Sequence, residues 1–367
     1  MLPGLTSCAA SLKDFRFPAS RLSTLCWTER WTTRLFAAWF PVLQASVGID
    51  ERGLHRLHVI LERGGAPIER FFALAYGRRS EALSGLDFKQ LLMTIAGKPN
   101  GMPVAVEILS MRLRSDEAAE RPPLPEVIEL GRALLTAYKF HRPDGRTRED
   151  YDLGRIIRAC LRDEDGCRIA RRLCRVLVEK HARHDVFAHH YGDALSSLFR
   201  IHPTAMLDEL FSGDPKSHNE SIRLMRSLTQ FRIDPIATVP DNVIIGWCDR
   251  DPAIRYSIAA AVTVLFKRPS EQAPHEWTNL AGQLLAKAPD PEAVFEELIC
   301  RLHPRGWSGS LASKLETRLH LLEQLDIAAI PRLQARFAAA KTTLKTEIEK
   351  ERQREIEEDR ARKGRFE

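Results

Sequence analysis

Asp251-Pro252-Ala253-Ile254-Arg255-Tyr256-Ser257-Ile258-Ala259-Ala260-Ala261-Val262 is the stretch whose reading settles what kind of fold this chain makes. An aspartate can cap a first helical turn, and a proline at the first helical position gives up no hydrogen bond there. Three successive alanines let a neighbouring helix come close. Ile254, Ile258, Val262 and Leu265 recur at spacings of three and four, a stripe expected to be buried against other helices. A poorer copy stands at Asp290, Pro291, Ala293, Val294 and Leu298.

The same punctuation recurs along the chain. His202-Pro203 and Asp214-Pro215 read as helix openers, like Asp251-Pro252 and Asp290-Pro291. Helical period is expected over 52–63, 67–77, 86–96, 103–114, 126–140, 151–162, 167–183, 185–200, 204–212, 217–230, 240–248, 252–267, 274–287, 291–302 and 309–325. Alternating runs bounded by turn dipeptides are few, so strands are poorly supported. Trp27, Trp31, Leu35 and Trp39 recur every fourth residue with Pro41 near the expected stop, a row that reads as core, or else as a partner-binding or membrane-surface helix. Residues 332–362 form one long segment, apolar through Leu333, Phe337, Leu344 and Ile348 and then almost wholly charged. It is expected to be a solvated helix, with pairs such as Glu358 with Arg362 and Asp359 with Lys363 meeting on its surface. After Ile348 only Ile356 remains apolar at heptad spacing, too little for a coiled coil.

The expected class is therefore all-α: an irregular, α-solenoid-like stack of helix pairs. The expected divisions are an irregular segment plus Trp-rich helix at 1–48, a helical segment at 49–114, a linker or long loop at 115–125, repeats at 126–330 and the charged C-terminal helix at 331–367. Hydrophobic residues at 44% and charged residues at 28% suit neither a membrane chain nor a disordered one. No apolar run approaches the roughly 20 residues of a membrane span. Seven cysteines without a C-x-x-C pair fit a reducing compartment, so the cytoplasm is expected. Leu5-Thr6-Ser7-Cys8 lacks the charged start and apolar core that would make it a lipoprotein cleavage box.

The net charge of +6 permits an acidic partner, but 49 acidic residues are mixed among 55 basic ones. Most of the excess lies between Arg155 and Arg183. If Ile169, Leu173, Val176 and Leu177 face inward, then Arg168, Arg171, Arg172 and Arg175 face solvent or a groove, a solvated face or a contact for an acidic protein or nucleic-acid phosphate. His181, His184, Asp185, His189 and His190 form the one cluster with ligand-like spacing, and on a continuous helix His181 would face His184 and Asp185 for zinc, but Asp185 reads as the cap of a following helix, which would turn the cluster around a corner. Histidines at a helix end, where positive charge is favoured, are the simpler reading. No phosphate-binding glycine loop and no H-E-x-x-H occurs, so no cofactor and no catalytic residue is assigned. Trp247, Trp277 and Trp307 offer rings on which bases can stack, yet each sits among apolar neighbours and is read as core.

The stretch from Asp251 to Leu265 resembles the inner helix of HEAT-type repeats, with Ile254 in place of their usual valine and Arg255 and the alanines matching. Separately, Gly306-Trp307-Ser308-Gly309-Ser310-Leu311-Ala312 and the charged tail to Arg365-Phe366-Glu367 look like the C-terminal end of large bacterial proteins that carry an ATP-binding module upstream. No such module is present in this sequence. These resemblances imply a non-enzymatic interaction scaffold, the sensor half of a bacterial multidomain system. It would bind a protein partner through stacked helices, with Arg168, Arg171, Arg172 and Arg175 in the surface. The alternatives are a nucleic-acid-binding helical repeat protein and, further off, a HEAT-like DNA glycosylase.

Overall fold

The computed structural model describes residues 34–142, 148–211, 215–268, 273–304, 306–327 and 330–363. Trp27, Trp31, the Leu5–Cys8 stretch and Arg365 to Glu367 lie outside them, as do the side chains of Leu35, Phe36 and Lys363. The described chain is almost wholly helical, and no helix in it is long and apolar enough to cross a membrane. It divides into two compact units, one ending at Tyr138 and the other beginning at Lys139.

The first unit holds α1 (Arg34–Ser46), α2 (Glu51–Arg63), α3 (Gly85–Ala96), α4 (Gly101–Ala118) and α5 (Pro125–Ala137). Pro41 lies inside α1 rather than near its stop, and Trp39 is exposed with the Arg70 guanidinium 3.5 Å from its ring centre. The expected helix after Pro67 is a 3-10 helix over Ile68–Ala75, which α1 and α4 cover while burying Phe71 and Leu74. The expected linker begins late. Asp116 is buried and ion-paired to Arg112 one turn back at 3.1 Å, so the helix runs on to Ala118. Beyond Pro122 and Pro123, α5 returns to pack on α3 and α4.

The second unit contains α6 (Glu149–Cys160), α7 (Glu164–Ala182), α8 (Gly192–Ile201), α9 (Pro203–Phe211), α10 (Pro215–Gln230), α11 (Asp241–Cys248), α12 (Pro252–Val262), α13 (Asn279–Lys287), α14 (Pro291–Leu302), α15 (Leu311–Glu323) and α16 (Gln334–Lys363). Packing runs mostly to near neighbours in the chain: α6 on α8, α7 on α9, α10 and α11 on α12, α12 on α14, and α15 on α16. A tertiary cap joins the first pair, where both Asp150 carboxylate oxygens accept from the first turn of α8, from Asp193 and Ala194 N–H at 2.9 Å each.

The founding stretch behaves as expected in part. Pro252 opens α12, and Ala259, Ala260, Ala261, Ile258, Val262 and Leu265 are buried. Ile254 instead is 46% exposed, and Tyr256 takes its place in the core. Asp251 makes no side-chain cap, whereas Asp290 accepts from Glu292 and Ala293 N–H in the poorer copy. Arg255 donates to the Trp247 carbonyl at 3.1 Å and lies 4.7 Å over the Trp247 ring, fastening α12 to α11. After Val262 the expected helix gives way to a two-residue strand, β1 (Phe266–Lys267), antiparallel to β2 (Glu276–Trp277) with Phe266 opposite Trp277.

The C-terminal helix is held rather than free. Leu344 and Ile348 are buried against α15, Lys341 pairs with Glu323 at 2.7 Å, Arg352 pairs with Glu316, and Glu355 accepts from Ser310 Oγ and Ala312 N–H. Within the helix Glu358 meets Arg354 at 3.0 Å, not Arg362, which lies nearer Asp359.

Candidate functional site

The arginine row lies on α7. Asp163 caps this helix by accepting from Gly166 N–H at 2.8 Å, which fixes the register of everything after it. Gly166, Ala170, Leu173, Cys174 and Leu177 form the buried stripe; Ile169 and Val176 sit at its margins rather than inside. Opposite the stripe, Arg168, Arg172 and Arg175 are exposed and Arg171 is half-buried.

The row is not a bare basic groove. Arg168 pairs with Asp165, and α9 brings Glu209 between Arg175, at 2.7 Å, and Arg171, at 3.6 Å. Glu209 is itself nearly buried, so these two guanidiniums tie α7 to α9. Arg168 and Arg172 are also exposed members of the row.

At its C-terminal end α7 stops at a sharp corner. His184 adopts a left-handed backbone with φ of 60°, and Asp185 N–H turns back to the Lys180 carbonyl at 2.9 Å. Asp185 does not cap the next helix; the residue before the following 3-10 helix (Ala188–Tyr191) is Phe187. Arg142 closes the corner by donating to the carbonyls of His184, at 2.5 Å, and Asp185, at 3.3 Å. His181, His184 and Asp185 are thus spread around a turn. Among the described residues no three His, Cys, Asp or Glu side chains are grouped to hold a metal ion.

The same corner carries a ring stack that the sequence, read for His189 and His190 only as members of a ligand-like cluster, did not show. Phe187, His189 and Phe231 form a stack of three rings, with His189 5.7 Å from Phe187 and 3.8 Å from Phe231, centre to centre. His190 sits edge-on to His189 at 4.3 Å. The outer rings face water: Phe187 is 41% exposed and Phe231 52%. Arg142 lies 4.9 Å from the Phe187 ring, a cation over an aromatic face. Burial, then the neighbouring His190 and His181, lower the pKa of His189, which favours the uncharged form of the central ring. The signal available was weak: Phe231 lies just past the end of α10, beside Arg232 with its φ of 60°, and only the fold brings it to Phe187.

Comparison with known proteins returned no matching family model, no matching curated protein and no matching solved structure.

Proposed function

We propose that this chain is a non-enzymatic scaffold, an irregular stack of helix pairs that binds a protein partner through the surface at the C-terminal end of α7. The observation that carries the reading is the exposed Phe187–His189–Phe231 stack. Aromatic side chains and arginines are the residues most enriched at the energetic centres of protein interfaces. Here two exposed phenylalanines are braced by the His189 ring between them, and Arg142 lies over Phe187, at the corner that follows the arginine-bearing helix. Arg168 to His181 spans about 20 Å along α7, within the breadth of an ordinary interface. The packing of helices on near neighbours in the second unit supports the stacked-pair description, as does the Arg255 contact across α11 and α12.

A nucleic-acid partner is the second reading. Arg142 over an exposed ring is the kind of pair that single-stranded nucleic acid stacks upon. Affinity capture with the full chain, in parallel with and without nuclease, separates the two. The scaffold reading expects a captured protein that survives nuclease and is depleted when Arg168 and Arg172 are both changed to glutamate. Those two are chosen because Arg171 and Arg175 also hold Glu209. Capture abolished by nuclease, with affinity falling steeply as salt is raised, would replace the protein partner with nucleic acid.

A further inference from the structure

A second cluster of positive charge lies in another part of the second unit, where the small hairpin, the segment after α14 and the start of α15 meet. The antiparallel pairing of β1 with β2 sets Arg268 beside His275, with Arg268 Nε 3.4 Å from His275 Nδ1. Lys314 and Arg318 follow one another by one turn of α15 and so share a face. Together with the exposed Trp307 these groups line a cavity of about 390 Å³. A second cavity of about 720 Å³ shares Arg318, Pro304 and Gly306 with the first. Among the described residues no carboxylate lines either one.

Arg318 is the telling side chain. Its guanidinium lies 4.2 Å from the Phe266 ring, which is braced edge-on by His275 and Trp277. Its Nη1 is buried with no hydrogen-bond acceptor, and it makes no ion pair among the described residues. A buried charged donor left unsatisfied is costly, and natural structures rarely retain one without a use. Burial, followed by Arg268, lowers its pKa, and His275 is pushed down to about 4 by burial and then by Arg318, Arg268 and Lys314. Among the described residues three cations therefore line one space to which no carboxylate contributes. Such a site suits a ligand with several anionic oxygens, for which arginine forks are the preferred hosts. The Trp307 face at the same cavity supplies a platform for a planar ring. The space is also of the size usual for small-molecule sites.

We infer that this cavity binds a nucleotide, its phosphates on Arg268, Lys314 and Arg318 and its base against Trp307. The site shares no residue with the ring stack at the end of α7, and it stands whether or not a protein docks there.

The test is isothermal titration of the full chain with ATP, tripolyphosphate, adenosine and a short single-stranded oligonucleotide. ATP is expected to bind, tripolyphosphate more weakly and adenosine scarcely at all. Arg268→Gln and Lys314→Gln, both at exposed positions, should each weaken ATP by about tenfold, the worth of one charge-assisted contact. Trp307→Ala should bring ATP down to the level of tripolyphosphate. Arg318→Gln should abolish binding; the two exposed variants keep the test valid if that one fails to fold. No heat with ATP at millimolar concentration, affinity unchanged in Arg268→Gln and Lys314→Gln, tripolyphosphate binding as tightly as ATP, or an oligonucleotide binding more tightly than ATP would each overturn the assignment.

Discussion

Arg112 and Asp116 face each other inside the first unit at 3.1 Å, both nearly without solvent, and the network extends through Arg112 to the Ser80 carbonyl and through Asp116 to Arg121. Removing one member leaves a buried charge without its counter-ion. Asp116→Ala is expected to cost about 3–5 kcal/mol in urea unfolding, whereas replacing both residues with apolar ones of similar size should come out close to neutral. His275 gives a pH signature. Its folded pKa of about 4 lies below the ordinary 6.5, so between those values the unfolded chain takes up a proton that the folded chain refuses. His275 therefore subtracts stability as pH falls from about 6.5 towards 4, and His275→Gln should flatten that part of the stability curve measured by thermal melts. At this scale the sequence was only partly legible. Asp251 and Asp290 each precede a proline yet only Asp290 caps, and Trp307, read as core from its neighbours, is exposed, because backbone angle and tertiary company decide both.

Helices were the legible elements. Proline and capping residues act locally, so the openings at Pro203, Pro252 and Pro291 fell within a residue of expectation. What failed was the kind of turn. Hydrophobic spacing over Ile68–Ala75 does not separate an α-helix from a 3-10 helix, and two-residue strands such as Phe266–Lys267 are too short to show alternation. The tail illustrates a different limit. Its charge pattern suggested a helix alone in water, but Leu344 and Ile348 dock it on α15 with ion pairs alongside. Leu344→Ala is expected to cost about 2–5 kcal/mol where α16 meets α15. Limited trypsin digestion would report it as faster cleavage around Arg352, and unchanged cleavage would mean that the ion pairs alone hold the helix.

For the whole molecule, the all-helical class was readable from periodicity, because each amphipathic stripe demands another helix against it. The division after Tyr138 was not, since the proline-rich run over 115–125 reads as the stronger linker although Pro143-Asp144-Gly145 follows the boundary. Nor was the candidate surface: the arginine row was visible as composition, but its pairing with Glu209 and the meeting of His189 with Phe231 arise from contacts between residues 34 to 42 positions apart. The central claim is that this ring stack is where a protein partner sits. Its most direct test compares quantitative capture by the wild-type chain with capture by the Phe187→Ser, Phe231→Ser double variant, both checked for equal helicity by circular dichroism. Two exposed anchors of this kind are expected to be worth about 2–4 kcal/mol together, so the partner should be depleted at least about tenfold. Undiminished recovery of the same protein by the double variant would contradict the account.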